Sequence, residues 1–137
     1  TAGPGTGSVA ATVKAAIKTQ TIGITIDGGS AVVSAGVKGY RSFPVAGTII
    51  SWRMLANAAG AVAMEIKSCT YSGFPGSLAS ITASAPPNIA ATNQKAESSS
   101  LGTWTTSVSA GDVFEFSITG TPATITRVTL EVVVQVS

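Results

Sequence analysis

The chain has 137 residues, of which 45% are hydrophobic and only 10% charged, against about 25% charged in an average globular protein. Its eight Lys and Arg outnumber its six Asp and Glu by two and are scattered, so the clustered cations that a nucleic-acid binder needs are missing. With no His and a single Cys, Cys69, an internal disulfide and a Cys/His metal cluster are excluded, and no apolar run nears the ~18 residues of a membrane-spanning helix.

Residues 1–19 read as an arm. The start, Thr1-Ala-Gly-Pro-Gly-Thr-Gly-Ser8, is too rich in glycine to fold alone and lacks the basic region and apolar core of a signal peptide, which predicts a protein made in a cytoplasm. Its glycines have no strand before them and no Lys in the place a phosphate loop requires. Val9, Val13 and Ile17 then recur at i, i+4 and i+8, a spacing that suits either a short helix or an extended segment laid on a neighbour.

From residue 20 to 137 the period becomes two. Ile22, Ile24 and Ile26 share one face of a first strand, and Asp27-Gly28-Gly29-Ser30 closes it with a turn. A second strand runs over Gly36–Phe43 and stops at Pro44. In a third, Thr48–Leu55, Ile50, Trp52 and Met54 point one way and Ser51 and Arg53 the other. Asn57–Gly60 turns the chain into Ala61–Lys67, with Val62, Met64 and Ile66 on the core side. From Cys69 to Ser100, Pro75, Pro86 and Pro87 break any long strand and leave a connection with one short strand. Within it Thr70–Gly76 carries Tyr71 and Phe74 on a loop, either as a lid over the core or as anchors for a partner. Strands resume at Leu101–Thr105, at Val113–Ile118 with Phe114, Phe116 and Ile118 inward, and at Thr124–Val136, the longest alternating series. About eight closely spaced strands with no crossover helix predict an all-β, antiparallel sandwich, and without a Cys-Trp-Cys framework the jelly roll is preferred to the immunoglobulin form.

The residues offer little for catalysis. General acid-base chemistry needs a titratable group near neutral pH and a partner to orient it, and the nearest carboxylate pair, Asp112 and Glu115, has opposite strand parity. Asp27 is one carboxylate, short of a calcium shell of six to eight oxygens. Trp52 shares parity with core residues; Trp104 lies beside a turn. No catalytic, cofactor or metal residues are assigned.

Ile26–Gly29, Gly36–Tyr40, Pro44–Ile49 with Trp52, Ser80–Pro87, Leu101–Asp112 and Ile125–Leu130 occur in an order and spacing similar to a β-sandwich domain of tailed-bacteriophage virion proteins. The chain resembles that family from about Ile22 to Val136, departing at Ile66–Tyr71, where relatives carry an acidic, Trp-containing segment. The resemblance implies a structural virion component without catalytic residues. No collagen-like or coiled-coil stalk occurs in these residues, which within that family favours a head decoration, or cementing, protein over a fibre module. The expected partners are the major capsid protein and a second or third copy of the chain, and the expected location is the outer surface of the phage head. The expected contacts are Val9, Val13, Ile17, Tyr71 and Phe74. The alternative is a tail-fibre or receptor-binding module that recognises a host surface glycan.

Overall fold

The computed structural model describes residues 18–137, so Val9, Val13 and Ile17 lie outside the described residues. Among the described residues there are ten strands and no helix. The long strands are β1 (Thr19–Asp27), β2 (Gly36–Phe43), β3 (Gly47–Ala56), β4 (Val62–Cys69), β9 (Asp112–Thr119) and β10 (Arg127–Val136). Four short ones lie between β4 and β9: β5 (Ala79–Ser80), β6 (Asn88–Ile89), β7 (Lys95–Ser98) and β8 (Ser107–Val108).

They form a β-sandwich of two antiparallel sheets. Sheet A has the order β1-β10-β3-β7, with β8 also on β3, and sheet B the order β2-β9-β4-β5, with β6 also on β4. The pairing is nested: β1 with β10, β2 with β9, β3 with β7 and β8, β4 with β5 and β6. Alternation along each long strand explains the layer between the sheets. Val128, Leu130, Val132 and Val134 of β10 face Phe114, Phe116 and Ile118 of β9, with Trp52 and Met54 of β3 and Val62, Met64 and Ile66 of β4 completing one apolar cluster. These side chains leave water almost entirely, and each contributes on the order of 1.5–3 kcal/mol by burial.

Three expectations are corrected. Alternation puts Ile50 inside with Trp52 and Met54, but Val133 pairs with Ser51 and Val134 with Ile49, so Ile50 is an extra, bulged residue. The bulge turns it outward to 36% exposure, and Ile49, at 2%, takes the inner place. Leu101–Thr105 is a turn, with Trp104 N–H on the Leu101 carbonyl at 3.0 Å, and the strand beside β3 is Ser107–Val108 instead. Trp104 is buried and its indole N–H donates to the Ala85 carbonyl at 2.8 Å, so its apolar body and its one donor are both satisfied inside. Between Cys69 and Ser100 the structure has three short strands where one is predicted. Each pairs for two to four residues before a proline or turn ends it.

The β3–β4 turn is tied to the start of β10. The Asn57 carboxamide oxygen accepts from Thr126 N–H and Arg127 N–H at 3.1 and 3.0 Å, and its nitrogen donates to the Thr126 hydroxyl at 2.7 Å. Gly60 sits against the same connection: a Cβ there would lie 2.5 Å from the Ala123 carbonyl oxygen.

Three substitutions separate core from clamp. Leu130→Ala should cost about 2–5 kcal/mol in urea unfolding, since the cavity forms where the sheets meet. Asn57→Ala should cost about 1–2 kcal/mol and Asn57→Asp less, because the aspartate keeps the acceptor for both backbone N–H groups.

Candidate contact face

The strand register builds the outer face of sheet B as three cross-strand rows. Val37, Ser117 and Glu65 form one; Tyr40, Glu115 and Lys67 the next; Ser42, Val113 and Cys69 the third. Outward positions of a sandwich are normally wet, yet Val113 and Glu115 on the central strand β9 are 6% and 8% exposed. The segment that follows β4 accounts for this. It leaves the sheet after Cys69, and the Phe74 ring meets Tyr40 on β2 edge to face, with centroids 5.1 Å apart and planes at 85°. Because β9 lies between β4 and β2, this contact carries the loop across β9.

The loop is held largely by its own backbone. Gly73 N–H donates to the Thr70 carbonyl at 3.1 Å, Phe74 N–H to the Tyr71 carbonyl at 3.2 Å, and Ser77 N–H to the Gly73 carbonyl at 2.8 Å. A Cβ at Gly73 would come within 3.0 Å of Ser77 Cβ, so glycine permits this tight winding. On the far side of the loop the Glu65 carboxylate gathers the next segment. One oxygen accepts from Ile66 N–H at 2.8 Å, the Ser80 hydroxyl at 3.0 Å and the Thr82 hydroxyl at 2.6 Å. Thr82 is fully buried, and that carboxylate is the partner its hydroxyl needs.

The two aromatic residues singled out in the sequence therefore divide. Phe74 is half-buried as a brace on Tyr40, which is the lid arrangement, although the lid covers the outside of sheet B and not the core between the sheets. Tyr71 on the loop is 77% exposed, and Tyr40 and Val37, in neighbouring rows of β2, are 50% and 52% exposed. These exposed groups, on the loop and on the strand that Phe74 joins it to, offer a ledge of apolar area to bury against a partner. Tyr40 and Val37 are missed by sequence reasoning because β2 carries a bulge: Val37 pairs with Ser117 and Gly39 with Phe116, which breaks the alternation at Lys38. The signal that a loop aromatic would seek a cross-strand aromatic is present in Phe74, but its partner is 34 residues away in sequence.

Elsewhere the polar groups serve local structure. Asp27 accepts from Gly29 N–H at 2.8 Å and from Arg127 Nε at 3.3 Å, which is turn chemistry. Those two bonds, Gly29 first, hold its carboxyl below the usual aspartate range. Arg53 donates to Glu97 at 2.7 and 3.1 Å on the exposed side of sheet A, and Glu97, with Glu131 farther off, holds its guanidinium pKa above the ordinary value. Asp112 receives Ser109 N–H at 2.9 Å and closes the turn into β9. Cys69 is half-buried beside Val113. Among the described residues no group of three or more His, Cys, Asp or Glu is arranged to hold a metal ion. No family model, curated protein or solved structure matches the chain.

Two measurements probe these bonds, one under the loop and one at the Asp27 turn. Glu65→Ala should destabilise by about 1–3 kcal/mol in urea unfolding, since it removes the 2.6 Å acceptor of the buried Thr82 hydroxyl and leaves it the Ser80 hydroxyl at 3.5 Å. The Gly29 amide resonance should titrate with Asp27. A depressed folded pKa means the turn's contribution is complete above the unfolded value of about 3.9 and is lost as pH falls through the lower folded value, so the midpoint must lie below about 3.9.

Proposed function

We propose that this chain is a bacteriophage virion structural protein: a head decoration, or cementing, protein that binds the assembled major-capsid-protein lattice from outside and has no catalytic role. The observation that carries the reading is the exposure of Tyr71 on the loop and of Tyr40 and Val37 on β2, with loop and strand braced together by the contact of Phe74 with Tyr40. A cementing protein must present a surface that is shaped before it meets the shell, because ordering a loop on contact subtracts from affinity. The similarity to phage virion sandwiches over Ile22–Val136 supports the same assignment.

The strand order supports the finer reading of the sandwich as a jelly roll. Such a fold wraps nested antiparallel pairs into two sheets, and the four nested pairings here fit that scheme once β5 with β6 and β7 with β8 are each taken as one interrupted strand.

The mechanism is linkage. A protein that binds only the assembled lattice stabilises it by mass action, and each contact needs no more than an ordinary interface of roughly 1,600 Å² in total. Val9, Val13 and Ile17 belong to this proposal as apolar contacts supplied by the arm. A second reading, glycan recognition by a fibre module, draws on the same exposed Tyr71, since a free ring at a loop tip can stack on a sugar. It loses the second ring, because Phe74 is engaged by Tyr40.

Cosedimentation with capsids that lack the protein should give saturable binding in a fixed ratio and a raised shell-opening temperature. Tyr71→Ala should weaken that binding about tenfold or more, the effect of removing an aromatic anchor. Absence of capsid binding, together with a Tyr71-dependent signal on a glycan array, would transfer the assignment to the fibre module.

A further inference from the structure

We infer that β1 is a self-association edge, along which a second copy of the chain adds its own β1 antiparallel to the first about a two-fold axis at Gly23. This goes beyond the capsid reading and does not depend on it.

An unpaired strand edge is a template for another strand unless it is short, bulged or charged. Sheet B ends on β2, bulged at Lys38 and carrying Arg41, and on the two-residue strands β5 and β6. The far edge of sheet A is β7, four residues with Lys95 and Glu97 exposed, beside the two-residue β8. Among the described residues β1 is neither short nor bulged, and the charge that reaches its outer edge is Arg41 of β2. β1 runs nine residues in unbroken register with β10, without Pro and without a charge before Asp27.

Hydrogen-bond parity shows what this edge offers. Lys18 and Gly28 bond toward the β10 side, through Lys18 C=O with Val136 N–H and Gly28 N–H with Thr126 C=O, so even-numbered residues face β10. Odd-numbered Thr19, Thr21, Gly23 and Thr25 therefore turn their N–H and C=O groups outward. Arg41 Nε donates to the Gly23 carbonyl at 2.9 Å, from that outer side, and the carbonyl's second lone pair remains for a strand partner.

The occupant follows from the sequence of the strand. Thr21-Ile22-Gly23-Ile24-Thr25 reads the same in both directions, so antiparallel pairing about Gly23 sets Thr21 opposite Thr25 and Gly23 opposite Gly23 of the second copy. Every such pair joins two odd residues, the ones whose backbone groups point away from β10, and Ile22 meets Ile24, the inward isoleucine that one copy leaves only half-buried. The contact is isologous and closes at two copies.

The test is sedimentation equilibrium of the full chain up to about 100 µM, a range in which a modest interface is populated by mass action. The expected mass rises from 13.6 kDa to twice that value. Thr21→Pro removes an outward N–H and leaves the β10 ladder intact, so it should weaken dimerisation at least tenfold with an unchanged urea midpoint. A charge exchange covers the case in which that variant does not fold. Thr21→Lys/Thr25→Lys and Thr21→Glu/Thr25→Glu should each stay monomeric alone and form a dimer when mixed. A wild-type chain that stays monomeric, assembles beyond two copies, or dimerises equally in these variants overturns the inference.

Discussion

Everything in this domain depends on the contact between β10 and β3 on one side and β9 and β4 on the other. Leu130, Met54, Phe116 and Met64 meet there with no exposure to water. No other interaction among the described residues can replace it. The ion pairs Arg53–Glu97 and Arg127–Asp27 are both more than half exposed, and such pairs contribute little. Cys69 is a free thiol. The backbone pairs that bring the sheets together join distant segments, β1 with β10 at the extremes, so the core must form before the pairing entropy is offset. A charge-poor sequence with alternating valines and isoleucines is what such a core requires, and it leaves the surface to Thr, Ser and a few aromatic rings.

The two outer faces then differ for physical reasons. On sheet A the cross-strand neighbours are Thr25 and Thr129, whose hydroxyls lie 2.9 Å apart, and the Glu131, Arg53 and Glu97 row. Those groups satisfy one another or water and hold no loop. On sheet B an apolar position, Val113, and a carboxylate, Glu115, lie under the Thr70–Leu78 loop, and the ring contact with Tyr40 fixes that loop in place. The bracing of the loop thus derives from the same strand register that builds the core.

Much of the sandwich was legible in the sequence because alternation and burial coincide on long central strands. Val128 to Val134, Phe114 to Ile118 and Val62 to Ile66 all face inward as their period implies. Alternation fails where geometry inserts a residue. The bulge at Ile50 and the shift at Lys38 depend on how neighbouring strands fit, and nothing local encodes them. Leu101–Thr105 has a strand-like composition but winds as a turn, since Trp104 gains more by burying its ring and bonding Ala85 than by extending. Phe74 and Tyr71 were legible as a pair of loop aromatics. Their division into brace and exposed ring needed Tyr40, brought close only by the tertiary fold.

The central claim is the proposal that sheet B's outer face, with the loop that carries Tyr71, is the surface that meets the shell. Electron cryomicroscopy of capsids saturated with the protein tests it most directly. The account predicts Tyr71 and Tyr40 within about 4 Å of capsid-protein atoms, the range of true packing contact. Density in which sheet A faces the lattice, or in which Tyr71 points into solvent, would contradict it.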